Sequence, residues 1–146
     1  MAITAKLYGN LFLAAFNKEH DLLDDTLKVM LTTSGYTPNQ DSDDYKNDVT
    51  NEVTGTGYSA GGATLGSKTL TYTGATNKTV LDAADVQWAS STITARNAVL
   101  YNATGGGTDA TRGLIGYQSS DADIISSGGS FDLVWNASGI VEITTA

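Results

Sequence analysis

Apolar positions change their spacing along the chain. Leu7, Tyr8, Leu11, Phe12, Ala15 and Phe16 recur three and four residues apart, with Lys6, Asn10 and Asn17 opposite. That spacing predicts an amphipathic helix with those six residues on its buried face. Gly9 and Asn10 lower its intrinsic propensity, so the helix depends on tertiary packing. It is expected to end near Asn17, before the acidic connection His20 to Asp25.

A period of two then takes over. Leu27, Val29 and Leu31 alternate with Lys28 and Met30, which predicts a strand over Thr26 to Thr32. Thr33 opens a long loop with a short helical turn expected at Tyr45 to Val49, capped by Asp41 or Ser42. Gly55, Gly57, Gly61 and Gly62 punctuate an irregular stretch. From Lys68 onward the reading is β. Leu70 and Tyr72 alternate with threonines, Gly74 to Asn77 is a turn, Val80 and Leu81 follow, and Val86 and Trp88 alternate with Asp85 and Gln87. Ile93 to Tyr101 is the longest strand candidate, and Leu114 to Tyr117 is another. Thr104 to Thr111 and Asp121 to Gly129 read as loops, and Phe131, Leu133 and Trp135 share a strand face. Asn136 to Gly139 then turns into Ile140 to Thr144 as a closing hairpin. The expected core is Leu27, Val29, Leu31, Leu70, Tyr72, Val86, Trp88, Ile93, Leu133, Trp135 and Ile143.

Six to eight strands without βαβ alternation predict a mainly β protein: an antiparallel β-sandwich or small barrel with a short N-terminal helix and long loops. The length of 146 residues, with no linker or fixed-period repeat, predicts a single domain over 1–146.

Composition narrows the function classes. Charged residues are only 16%, so Thr (21) and Gly (16) carry much of the polar surface and turns. The net charge of −8, with eight scattered basic residues, argues against nucleic acid and anionic membranes as partners. The longest apolar run, Leu11 to Phe16, is too short to span a bilayer. Met1 to Phe16 lacks a good signal-cleavage pattern. With no Cys, disulfides and thiolate metal sites are excluded, and a lone His20 forms no multi-His zinc site.

Individual motifs do not add up to chemistry. Asp41, Asp43 and Asp44 crowd three carboxylates together, but a calcium loop starting at Asp41 would need Gly where Lys46 stands, although Glu52 falls at its twelfth position. A capped, solvated loop is the better reading. Gly105, Gly106 and Gly107 lack the GK[ST] continuation and helix of a phosphate cradle. His20, the only imidazole base, is expected to be exposed just beyond the helix. No carboxylate pair stands out for glycoside hydrolysis. Asn77, Asn102 and Asn136 head sequons that a Thr- and Asn-rich chain produces by chance. No enzyme activity, cofactor or metal is expected. Trp88, Trp135, Tyr72, Tyr101 and Tyr117 fall in strand patterns and read as packing residues. Tyr36, Tyr45 and Tyr58 lie in the loop half and are the candidate interface anchors.

Four stretches carry a resemblance: Ala5 to Gly9, Lys28 to Asp41, Asp48 to Tyr58 and Trp88 to Arg96. With Ile115 to Tyr117 and Val134 to Ile140, they resemble a family of small virion structural proteins of tailed bacteriophages, along nearly the whole chain. The resemblance implies capsid decoration, or cement, on the outer surface of the head. It implies the major capsid protein as partner and a symmetric homo-oligomer, with a trimer favoured over a dimer because shells offer three-fold sites. It carries no catalytic residue. A tail or head-fibre component is the alternative, and a carbohydrate-binding adhesin module, with ring faces open to solvent, is the alternative of another class.

Overall fold

The computed structural model describes residues 1–104 and 107–145. Gly105 and Gly106 of the expected glycine-rich loop lie outside the described residues. The chain is mainly β and forms two antiparallel sheets with one short helix. The sheets stack as a sandwich and do not close into a barrel.

The larger sheet is built on a long hairpin, β6 (Val86–Asn102) and β7 (Leu114–Leu133). β2 (Leu27–Thr32) pairs with the C-terminal part of β6, and β3 (Ala63–Thr64) pairs with β2. β1 (Ile3–Leu7) lies on the other side, antiparallel to β7, with Ile3 opposite Ser120 and Leu7 opposite Gly116. The order is therefore β1-β7-β6-β2-β3. The smaller sheet has the order β4-β5-β8, from β4 (Thr69–Thr73), β5 (Lys78–Asp82) and β8 (Val141–Thr144). β4 and β5 meet at a tight turn in which Asn77 takes the left-handed conformation, φ 54°, a position that asparagine tolerates.

Four local expectations are corrected. The helical spacing begun at Leu7 splits into two elements: strand β1, then helix α1 (Leu11–Phe16). Ile3, Ala5 and Leu7 alternate with Thr4 and Lys6, and β7 supplies the hydrogen bonds a strand needs. α1 is too short to stand alone. Buried Leu11 and Ala14 anchor it, and it ends with Lys18 left-handed at φ 64°. There Glu19 N–H donates to Ala14 O and Lys18 N–H to Ala15 O, the paired bonds of a Schellman close. Phe12 and Phe16, expected inside, face solvent.

The expected loop Asp121 to Gly129 is instead the middle of β7, paired to β6 through Ile125, Ser126 and Ser127, with a register shift around Gly128. The expected closing hairpin does not form. Leu133 ends β7 against Val86, whereas Val141 opens β8 against Leu81 in the other sheet. The helical turn is a 3₁₀ turn, Lys46–Asp48, closed by Asp48, whose carboxylate accepts from the N–H groups of Asp44 and Tyr45. Asp41 and Ser42 do not cap it.

Both faces of the larger sheet are covered. One face packs on the smaller sheet through Leu27, Val29, Leu31, Leu100, Leu81, Trp135 and Val141. Opposite, Tyr8, Met30, Tyr36, Val99, Tyr101 and Leu114 form a second core beneath the 33–49 loop. Of the expected core, Leu27, Val29, Leu31, Val86, Trp88, Ile93, Leu133 and Trp135 are buried. Leu70, Tyr72 and Ile143 are not.

Candidate interaction surface

The three exposed core candidates share a face. The register sets Leu70 beside Leu81 and Val141, and Tyr72 beside Thr79 and Ile143. Paired residues in antiparallel strands point to the same side. Leu81 and Val141 reach the core, but Leu70, Tyr72 and Ile143 are 42%, 60% and 37% exposed. The apolar face of the small sheet thus runs past the part of the large sheet that covers it. On α1, Phe12, Leu13 and Phe16 add a second exposed apolar group.

A trough continues this uncovered character onto the large sheet. Two cavities of about 220 and 190 Å³ share Ala98 and Gln118. The first is floored by Ala5, Leu7, Leu100 and Gly116 and walled by Trp135, Ile140 and Val141. The second lies among Ile3, Ile124, Phe131, Leu133 and Val134. The small residues Ala5, Ala98 and Gly116 keep the floor low.

The three interface tyrosines part company. Tyr36 is buried in the second core; its hydroxyl bonds that of Tyr8 at 3.0 Å and donates to the Asp43 carboxylate at 2.8 Å. Burial, chiefly, raises the pKa of both phenols. Tyr36 is therefore a pillar of the loop and offers no surface ring. Tyr58 is half-buried; its hydroxyl accepts from Leu31 N–H at 3.0 Å and donates to Glu52 at 2.8 Å. Its ring packs on Trp88 at 5.9 Å. Tyr45 is half-buried near Glu19, whose charge raises the phenol pKa. The structure does not bring the three to one place.

The acidic loop is internally bonded. Asp43 accepts from Tyr36 and from Asn39 N–H, and Asp41 is exposed. Among the described residues, no three His, Asp or Glu side chains gather as a metal-binding group.

His20, expected at the surface, is buried at 8% exposure. Asn102 holds it in place. The Asn102 carbonyl accepts from Thr104 N–H at 2.9 Å, while its amide nitrogen donates to Asp25 at 2.6 Å. That nitrogen also lies 3.1 Å from His20 Nδ1 and 3.3 Å from Glu19 O. Among the described residues Nε2 has no hydrogen-bond partner, and it abuts Gly113. Burial lowers the imidazole pKa, against the opposing pull of Asp25 and Glu19. In the unfolded chain the imidazole titrates near its ordinary value of about 6.5. Below that pH the unfolded state binds the proton first, so stability falls as the pH drops, down to the lowered folded-state pKa. Urea midpoints should fall between pH 7.5 and 5.5 and be flatter in His20→Phe. Equal slopes in the two proteins would remove His20 from the effect.

Comparison of the chain with protein-family models, curated proteins and solved structures found no match. What the fold and surface define is a class: a small β-sandwich with apolar side chains exposed on its strands and helix.

Proposed function

We propose that the protein is a decoration, or cement, protein that binds the exterior of a tailed-phage head and stabilises its capsomer junctions. The observation that carries the reading is the set of uncovered apolar residues on ordered strands and α1: Leu70, Tyr72, Ile143, Phe12, Leu13 and Phe16. Exposed apolar groups fixed on a rigid scaffold suit a protein that works by being assembled. The whole-chain resemblance described above points the same way. The net charge of −8 suits the outer surface better than the DNA-facing interior. Repeated occupancy of symmetric sites adds avidity even where each contact is small. An adhesin reading draws less support: both tryptophans are buried, and Tyr72 is the one exposed Tyr or Trp among the described residues.

The test is the protein's place in the particle. Purified protein added to heads stripped of it should rebind at saturating, symmetric stoichiometry on the outside and restore resistance to heat and osmotic shock. Density confined to the tail, or equal resilience of stripped and decorated heads, would overturn the proposal.

A further inference from the structure

β7 changes its surroundings halfway along. From Gly116 to Ser120 it has β1 on one side and β6 on the other. Asp121 N–H still reaches Ala2 O. Beyond that, among the described residues, no strand pairs with its outer edge through to Leu133. Between the register shifts at Ser119/Ile124 and at Gly128, Ile124 to Ser127 pair regularly with β6, so alternate residues of this stretch turn N–H and C=O groups outward. Beside this edge lies the mostly apolar cavity of about 190 Å³ lined by Ile3, Ile124 and Phe131, with Arg96, which pairs with Asp123, and Asp132 also in its lining. A free edge next to an apolar cavity is what an added strand requires: the edge takes its backbone and the cavity its alternate side chains.

The chain carries a strand of matching chemistry. β4 is the outer strand of the small sheet, and all five of its residues are exposed. It reads Thr-Leu-Thr-Tyr-Thr, with Leu70 and Tyr72 on one face and threonines on the other. Charge favours this pairing. Two copies at −8 each repel, so they meet best through neutral surface. Thr69 to Asn77 holds no charged residue, nor does Ile124 to Phe131.

We propose that β4 of one copy adds to the free outer edge of β7 of another, with Leu70 and Tyr72 entering the trough beside Ile3 and Ile124. The two edges differ, so the contact is head-to-tail, and it either closes into a ring or runs on as a filament. A three-membered ring is the closed form that suits a shell's three-fold sites. The inference takes its biological setting from the assembly reading above, but its test needs no particle.

The chain has no cysteine, which makes cross-linking clean. Thr69→Cys, Thr71→Cys and Thr73→Cys proteins are each mixed with Ile125→Cys protein and oxidised. At least one mixture should give a disulfide joining β4 to Ile125 of a different copy, located by peptide mass spectrometry. Wild type should sediment as an oligomer. Leu70→Asp, at a site already exposed, should sediment as a monomer with an unchanged melting temperature after dilution to the monomeric range. Monomeric wild type at all concentrations, an oligomer indifferent to Leu70→Asp, or cross-links only between like positions would overturn the proposal. Intact self-association without binding to heads would count against the decoration reading alone.

Discussion

Trp135→Ala should lower stability by about 3–5 kcal/mol, the range for removing a large buried aromatic. Trp135 lies between β7 and β8, where the chain crosses from one sheet to the other. Its ring belongs to the inter-sheet core and walls the open trough. Its indole N–H donates to Ala84 O at 3.1 Å, and its backbone N–H to Asp85 at 2.9 Å. The ring therefore fastens the crossover to the start of β6 while filling the gap between the layers. Because one flank is already open, water can enter the space left by the truncation. Trp135→Phe separates the two contributions: it keeps most of the apolar bulk and loses the indole hydrogen bond, worth about 1 kcal/mol. Urea denaturation of the three proteins is the measurement. Equal midpoints for wild type and Trp135→Ala would exclude the ring from the core.

Gly62→Ala should be the most damaging of the small substitutions. Gly62 sits at φ 74°, where a side chain is strained, and a Cβ there would overlap the Val29 carbonyl and come within 2.7 Å of Met30 Cα. Both obstacles are backbone of β2, held between β6 and β3 in the large sheet. The strained φ alone costs about 1–3 kcal/mol, and displacing β2 adds to it. Two other glycines separate these effects. Gly128 has the same φ of 74° with nothing near the added atom, so Gly128→Ala should show the conformational cost alone. Gly66 has neither a positive φ nor a neighbour within 4 Å, so Gly66→Ala should be close to neutral. Thermal melts should rank Gly62→Ala well below Gly128→Ala, and Gly128→Ala below Gly66→Ala. Any other order would contradict the close approach of Gly62 to β2.

The period of two made apolar rows readable, even where the opposite face is buried as well, as at Met30 of β2, which was expected to face outward. Leu27, Val29 and Leu31 show it, and Leu70 and Tyr72 do so in an informative way. Their alternation does mark an apolar face, but the described residues of the chain cover it only in part. β1 was hidden because Leu7 and Tyr8 are held by strand contacts while Leu11 is held by the helix, and the three happen to fall at helical spacing. The outer half of β7 reads Ser-Ser-Gly-Gly, which is turn chemistry; pairing with β6 overrides it. Val99 and Tyr101 are buried like their neighbours Ala98 and Leu100, the unbroken pattern of a strand covered on both sides. The partition of strands between two sheets, with β5 finding β8 some sixty residues away, left no local trace. At the candidate surface, spacing missed the buried place of His20, because the Asn102 amide that holds it is far off in sequence.

The pairing of β1 with β7 also bears on synthesis. Ile3 to Leu7 finds its partner only at Gly116 to Ser120, so β1 must wait for β7 to be made. Until then β1 lacks its partner, and the buried row Leu27, Val29 and Leu31 lacks core neighbours that come later still, Trp135 and Val141 among them. Contacts this distant in sequence make for slow folding, because a large loop must close before any of them forms. The nascent protein is thus most exposed to mispairing with its own kind before β7 is made, and the β6–β7 hairpin then gives β1 its edge.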